Sequence, residues 1–257
     1  MTIEIPSELI VVLRNARHVA FLTGAGVSAE SGIPTFRDAL TGLWENFDAE
    51  QLASADAFRR DRELVWGWYE WRRMKVLKAE PNAAHCTIST IASKVPHVDV
   101  VTQNVDDLHE RAGSENVVHL HGRLDHPICF ACRRLHELSL GIPEEPEGGR
   151  RLAPPRCEYC GGYVRPGVVW FGESVPESEW KVAVDACRKC DVLFTVGTSS
   201  IVQPAASLPV IAARGRAMVV QINLGPTSLD GIAQFNLVGQ AGVIIPALFD
   251  AVWGPSK

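Results

Sequence analysis

Val19-Ala20-Phe21-Leu22-Thr23-Gly24-Ala25-Gly26-Val27-Ser28-Ala29 reads as a buried strand that turns into a helix through two glycines. Val19 to Leu22 are apolar on consecutive positions, which fits a strand covered on both faces rather than one half exposed to water. The six residues from Gly24 to Ala29 then meet the G-x-G-x-x-G/A pattern. In a strand-to-helix turn such glycines let backbone N–H groups approach a pyrophosphate, and the helix N-terminus favours the anion. Gly24, Ala25, Gly26 and Ser28 are therefore candidate dinucleotide contacts. The same pattern also occurs as a tight turn that binds nothing. A hydride-transfer enzyme would continue to a second strand with an acidic residue about 20 positions on, to hold the ribose. Here that region reads Ser31-Gly32-Ile33-Pro34-Thr35-Phe36-Arg37-Asp38, then Leu43-Trp44, and the dehydrogenase reading weakens.

Further short β-rich runs follow at Val98 to Thr102, Val117 to Leu120, Val168 to Phe171, Val192 to Val196, Met218 to Ile222 and Val243 to Ile245. Their consecutive apolar positions predict an α/β fold, a Rossmann-like parallel sheet with helices on both faces. Ligands of such sheets bind beyond the carboxyl ends of the strands. Two segments break the rhythm. Residues 43–79 read as a helical module rich in Trp, and residues 126–162 as a loop-rich module with four cysteines and Pro143, Pro146, Pro154 and Pro155. The remaining stretches, 1–42, 80–125 and 163–257, form one discontinuous nucleotide-binding domain.

The chain has 257 residues, 46% of them apolar and 21% charged, with a net charge of −5. That composition supplies a core and argues against disorder and against a general nucleic-acid footprint. The first twenty-odd residues mix Glu4, Glu8, Arg14 and Arg17 with apolar positions, unlike a signal peptide, and no stretch reaches the roughly 18 apolar residues of a membrane span. A cytoplasmic protein without a membrane partner is expected.

Six of the seven cysteines fall in Cys-x2-Cys pairs. Cys129-x2-Cys132 and Cys157-x2-Cys160, separated by twenty-four residues, offer four soft ligands in paired turns suited to tetrahedral zinc. Four thiolates leave no open position, so this one zinc is structural. His126 and His136 are not needed as ligands. Cys187-x2-Cys190 has no partner pair and lies in a predicted helix, so buried structural cysteine is the better reading; Cys86 reads as core.

Polar residues cluster where strands end. Gln103, Asn104 and Asp106 follow one strand, and such residues either face a ligand or cap the helix starting near Leu108. His119 and His121 end the next strand two positions apart and so face the same side. The neutral-range pKa of an imidazole, about 6.5, suits a general base, but spacing does not choose between the two. On the helix from Glu63 to Lys78, Val65, Trp68, Tyr69, Arg72 and Val76 share one face. An arginine among apolar neighbours either turns out to water or awaits an anion.

Gly24-Ala25-Gly26-Val27-Ser28 through Gly32-Ile33-Pro34-Thr35-Phe36-Arg37 closely resembles the cofactor-binding loop of the sirtuins. Thr102-Gln103-Asn104-Val105-Asp106, His119-Leu120-His121-Gly122 and Val196-Gly197-Thr198-Ser199 follow in the order of that family, with the cysteine pairs between them. The resemblance covers nearly the whole chain. It implies an NAD-dependent protein-lysine deacylase, in which NAD is consumed as co-substrate and its glycosidic bond is broken by the acyl oxygen of a modified lysine. It further implies His121 as the base, Asn104 placing a water or ribose hydroxyl, Asp106 with the Val105 backbone holding the nicotinamide carboxamide, and Gln103 at a ribose. Ile33, Phe36 and Arg37 resemble the mobile cofactor loop, with Phe36 shielding the reacting centre. Gly197, Thr198, Ser199, Asn223, Leu224, Gly225 and Ala241 match the adenosine end.

Tyr69-x2-Arg72 is similar to the pair with which class III sirtuins recognise the carboxylate of succinyl- or malonyl-lysine, and Ala53 to the small residue that widens their acyl pocket. The resemblance thus implies desuccinylation and demalonylation, with deacetylation also available. A peptide carrying the acylated lysine would add a strand along Val169-Trp170-Phe171-Gly172-Glu173. Two other readings compete. Mono-ADP-ribosyl transfer from NAD shares the first bond cleavage. A zinc-ribbon nucleic-acid binder would use Arg133, Arg134, Arg150, Arg151 and Arg156, but no aromatic-basic stripe accompanies them.

Overall fold

The computed structural model describes residues 4–35, 52–138 and 141–255. Six strands, β1 (His18–Thr23), β2 (His97–Thr102), β3 (Val117–His119), β6 (Val192–Val196), β7 (Met218–Asn223) and β8 (Phe235–Val238), form one sheet in the order β3-β2-β1-β6-β7-β8. Every pair in it is parallel. Strands β4 (Ile128–Cys129) and β5 (Val164–Arg165) make a separate antiparallel pair beside the four cysteines. The chain builds outward from β1 to β3, then returns to the other side of β1 with β6. The strand order therefore reverses between β1 and β6, and the crevice at their carboxyl ends is where such sheets take ligands.

Successive residues of a strand point to opposite faces, and both faces of this sheet are covered. Phe21, Val100, Phe194 and Val220 pack against α1 (Ser7–Asn15), α2 (Ala25–Ala29) through Val27, α5 (Ala83–Ile91) and α9 (Ala241–Trp253). Ala20, Leu22, Leu193 and Val219 pack against α7 (Glu177–Lys189) and α8 (Leu208–Arg214). A third cluster joins α3 (Ala55–Arg60) and α4 (Arg62–Lys78) to Leu108 of α6 (Leu108–Arg111), Leu124, Val168 and Trp170. Both helices are capped at their starts, Ser54 accepting from the Ala57 N–H and Asp61 from the Leu64 N–H, a use of Ser and Asp that satisfies orphan donors. Among the described residues no helix is long and apolar enough to cross a membrane.

Three local expectations are corrected. Val243 to Ile245 lies inside α9 and not in a strand. Its buried residues Ala241, Ile244, Ile245, Leu248, Phe249 and Val252 recur at helical spacing, and a three-residue apolar run hides that period. Val168 to Phe171 joins no sheet; it makes isolated bridges, Val168 with Gly122 and Phe171 with Ser54. Cys86 is exposed, because the buried stripe of α5 runs through Ala84, His85, Ile88 and Ile91. The edge strand β8 is an element the apolar runs do not reveal, since only Phe235 and Leu237 are partly covered while Asn236 and Val238 face water.

Candidate active site

Parallel register brings Thr23, Thr102 and His119 level across β1, β2 and β3, with Val196 level on the other side of β1. The residues just beyond those ends line a cavity of about 1240 Å³. It is larger than the roughly 300–1,000 Å³ of most small-molecule pockets, and so has room for an extended ligand of several parts. Gly24, Ala25, Gly26, Ser28 and Ile33 line it after β1, and Gln103, Asn104, Val105 and Asp106 after β2. His121 joins after β3, Gly197, Thr198 and Ser199 after β6, and Asn223 and Gly225 after β7. Ala53, Tyr69, Arg72, Val169, Phe171, Gly172 and Glu173 complete the same wall. Leu224 stands outside this lining, mostly exposed, and Ala241 is buried at the first turn of α9. Phe36 and Arg37 lie outside the described residues.

The glycines have a structural reason of their own. Gly197 has φ +61, and a Cβ there would meet the Val27 nitrogen at 2.5 Å; a Cβ on Gly26 would meet Gly197 Cα at 2.7 Å. The turn after β1 and the turn after β6 thus touch backbone to backbone, with the Gly26 N–H donating to the Gly197 carbonyl at 2.9 Å. This contact sets the narrow floor of the crevice.

The polar cluster after β2 divides its tasks. Asn104 is buried, and its amide donates to the Gly24 carbonyl at 3.1 Å and to Ser28 Oγ at 2.9 Å. With both hydrogens occupied, its side-chain oxygen remains as an acceptor. Gln103 donates to Thr198 Oγ1 at 2.9 Å, bridging β2 to the turn after β6. Asp106 accepts from the Leu108 N–H at 3.2 Å, the first N–H of the helix Leu108–Arg111, whose N-cap residue is Asp107 and makes no side-chain capping bond; Gln103 and Asn104 take no part in capping. Burial raises the Asp106 carboxyl above its ordinary range, with the Leu108 N–H and the Ser28 hydroxyl opposing.

The two histidines separate clearly. His119 has both nitrogens engaged, Nδ1 with the Asn104 carbonyl at 3.1 Å and Nε2 with Glu110 Oε1 at 2.8 Å. It is a buried, satisfied histidine outside the cavity lining. His121 faces the cavity, and its Nδ1–H donates to the Gln103 carbonyl at 3.1 Å. A carbonyl can only accept, so Nδ1 carries the proton and Nε2 of the neutral ring is the acceptor. Burial draws its pKa below the ordinary histidine value, which keeps the ring neutral near pH 7. His121 lies two residues past the strand end, where β alternation no longer holds, and the φ +73 turn at Gly122 follows it.

Tyr69 is buried and its hydroxyl oxygen accepts from Trp170 Nε1 at 3.1 Å. Burial pushes its phenol up to about 12, so it keeps its proton. The Arg72 guanidinium lies over the Trp68 ring at 5.0 Å, and burial pulls its pKa down while Tyr69 and Asp106 oppose; an arginine stays charged regardless. Glu173 is already engaged, holding Arg165 by two bonds and accepting from the Trp170 N–H at 2.9 Å. Sequence reasoning missed Ile201, Val202, Gln203, Pro226, Thr227 and Ser228 in the lining. They belong to loops without a motif; the one available signal is their place after β6 and β7.

The four cysteines converge. Cys129 Sγ and Cys160 Sγ lie 3.5 Å apart, Cys132 Sγ and Cys157 Sγ 3.7 Å, and all four sulfurs fall within 4.8 Å of one another. Tetrahedral zinc with Zn–S of about 2.3 Å places its sulfurs about 3.8 Å apart, so the set fits. Gly162 leaves the room, since a Cβ there would stand 3.1 Å from Cys129 Sγ and 3.3 Å from Cys160 Sγ. Burial works against ionising Cys129, and the N–H groups of Cys132 and Ala131 outweigh it, drawing its thiol down to about 6. Cys187 and Cys190 are the opposite case, buried, with thiols raised chiefly by burial, Cys190 to about 12. The arginines near the zinc module are engaged, Arg134 over Tyr159, Arg156 over Tyr163, Arg150 with Glu145 and Arg151 with Asp61.

Residues 24–204 match the model of the Sir2 family. A protein of Methylococcus capsulatus named NAD-dependent protein deacylase is 58% identical over 249 residues, 97% of this chain and 98% of the relative. NAD-dependent protein deacylase 1 of Pseudomonas aeruginosa is 52% identical, covering 93% of this chain and 96% of its own length. Among solved structures, a Sir2 homolog in complex with NAD superposes with a TM-score of 0.88 at 42% identity, over 97% of this chain and 94% of that one.

Proposed function

The chain belongs to the Sir2 family, and from that premise we propose that it uses NAD to remove acyl groups from lysine side chains of proteins, acyl groups ending in a carboxylate foremost. The products are free lysine, nicotinamide and O-acyl-ADP-ribose. NAD supplies the sugar carbon to which the acyl oxygen transfers; the chain's own residues supply orientation and proton handling. His121 Nε2 is the general base for a ribose hydroxyl. The Asn104 side-chain oxygen orients a water or hydroxyl, and Asp106 with the Val105 backbone holds the carboxamide. By resemblance to the sirtuin cofactor loop, Phe36 has the role of shielding the reacting centre from water, with Arg37 beside it in the sequence.

One observation carries the acyl preference: Tyr69 and Arg72 line the same cavity as His121 and Asn104. The Tyr69 oxygen already accepts from Trp170, so its O–H is available to donate. Beside it Arg72 offers a charged fork, the geometry that suits a carboxylate. Succinyl and malonyl groups bring that carboxylate; an acetyl group fits without using it. Ala53, nearly fully buried against the same wall, leaves space for the longer chain.

The substrate peptide lies along Val169–Glu173. The N–H groups of Val169, Trp170 and Phe171 are bound to the His121 carbonyl, Glu173 and the Ala53 carbonyl. An added strand therefore uses mainly carbonyl acceptors here, and Glu173 contributes by bracing the segment. Four thiolate ligands favour a reducing compartment, in keeping with a cytoplasmic enzyme.

The deciding experiment is mass spectrometry of a succinyl-lysine peptide incubated with the protein and NAD. Deacylated peptide, nicotinamide and O-succinyl-ADP-ribose are expected. ADP-ribose attached to protein would favour transferase chemistry instead, and NAD left intact would end the proposal.

A further inference from the structure

The amino end of the sheet, away from the active site, carries a second group of metal-ligating side chains. His18 opens β1 and His97 opens β2, and the two are register partners. Asp99 follows His97 by two positions, so alternation puts its side chain on the same face. The pairing of two adjacent parallel strands thus brings two imidazoles and a carboxylate together without any loop. His18 Nε2 lies 2.8 Å from Asp99 Oδ2 and His97 Nε2 3.1 Å from the same oxygen. The two rings meet edge to face with centroids 4.4 Å apart.

We propose that His18, His97 and Asp99 form a second metal site, taking a divalent zinc-class ion through both Nε2 atoms and one carboxylate oxygen. Two imidazoles and one carboxylate are a ligand set that zinc accepts, with water completing the tetrahedron. Tetrahedral bonds of about 2.0–2.2 Å separate ligand atoms by about 3.3–3.6 Å. The 3.1 Å between His97 and Asp99 is short of that by about 0.2–0.5 Å and the 2.8 Å between His18 and Asp99 by about 0.5–0.8 Å, so binding draws the exposed His97 ring outward and turns the Asp99 carboxylate away from His18. Both rings already aim Nε2 at a common point; a metal-bound imidazole presents the lone pair of that nitrogen and carries its one proton on Nδ1.

Asp99 and His18 are largely covered while His97 is half exposed, with side-chain exposures of 12%, 14% and 51%. The site is therefore walled by the fold and open on one side to an entering ion. β1 is six residues long, so at about 3.3 Å per residue the group sits roughly 17–20 Å from the carboxyl-end cavity. The proposal stands independently of the deacylase reading. The competing account is a His-Asp-His hydrogen-bonded clamp that ties the strand ends and binds nothing.

Cobalt(II) titration of the full, untagged chain, with its four-cysteine site already zinc-loaded, distinguishes the two. One further equivalent is expected, with weak d–d absorption and no thiolate-to-metal charge transfer, and added zinc should raise the Tm. His97→Ala, at an exposed position, should keep the fold and weaken binding beyond the roughly 10–100-fold that losing an outer partner costs. Asp99→Asn should do the same. Deacylation of a succinyl peptide should be unchanged in His97→Ala. No second equivalent in the unaltered chain, or one retained in both variants, would overturn the site and leave the clamp.

Discussion

The Nδ1–H of His121 and the main-chain carbonyl of Gln103 meet at 3.1 Å, and this bond fixes which nitrogen of the ring is basic. It also ties the ring to the residue that precedes Asn104, so the proposed base and the proposed acceptor are both positioned by one turn after β2. His121→Ala should lower kcat on every acyl group by the roughly 10²–10⁴-fold ascribed to a general base. Because burial lowers the His121 pKa, the base is neutral through pH 7 and is lost only as pH falls below the ordinary 6.5. The kcat/KM profile should therefore hold flat from pH 8 to about 6.5 and decline on a limb displaced to the acid side. A limb centred above pH 7 would contradict this assignment.

Arg72 and Tyr69 sit one turn apart on α4, beside Ala53. Charge-assisted hydrogen bonds contribute about 1.5–3 kcal/mol, or roughly 10- to 100-fold. Arg72→Met should weaken kcat/KM for succinyl-lysine by at least that and spare acetyl-lysine. Tyr69→Phe removes the donor and retains the ring against Trp170, so its selective loss should be smaller. Side-by-side kinetics on the two peptides check both, and equal loss on the two acyl types with Arg72→Met would remove the carboxylate clamp.

How far these relations were legible follows from what each depends on. The strand-glycine junction at Val19–Ala29 signals the sheet, because consecutive apolar residues and a glycine turn are local facts. The Cys129 and Cys160 pairs signal the zinc for the same reason. The choice between His119 and His121 is not local: it turns on Glu110, which occupies one ring, and on Gly122, which ends the strand's alternation. Likewise Gly26 looks like a phosphate contact in sequence, while its tightest neighbour is Gly197, a residue 171 positions away. The stretch Val168–Phe171 has strand composition, yet its partners are Gly122 and Ser54 from two different segments, and no pattern within the stretch announces them.

Removal of zinc should loosen more than the cysteine loops. The Leu152 N–H donates to the Glu63 carbonyl at 3.0 Å, and a Cβ on Gly67 would collide with the Arg150 carbonyl at 1.9 Å. The stretch carrying Arg150 and Leu152, just before Cys157, is thus laid directly on α4, the helix that presents Tyr69 and Arg72. Structural zinc contributes about 10–16 kcal/mol to such modules. Strong chelation, or Cys157→Ser, should expose residues 126–162 to limited proteolysis and lower succinyl turnover together. Protease resistance unchanged after metal loss, confirmed by metal analysis, would refute the structural role.

His85 supplies a pH dependence of stability separate from catalysis. Its Nδ1 accepts from the Asn82 N–H at 3.3 Å, completing a capping box at the start of α5. The neutral ring then carries its proton on Nε2, which is buried without a partner among the described residues. Burial lowers the His85 pKa from 6.5 to about 4. Between those values the unfolded chain binds the proton and the folded chain does not, so stability falls as pH drops through that window. The shift corresponds to about 3 kcal/mol lost by pH 4. His85→Gln can still accept from Asn82 but does not titrate. Urea unfolding at pH 7.5 and pH 5 should show a smaller difference for the variant than for the unaltered chain. An equal difference would mean that other groups, His109 first among them with its burial-depressed pKa, carry the acid sensitivity.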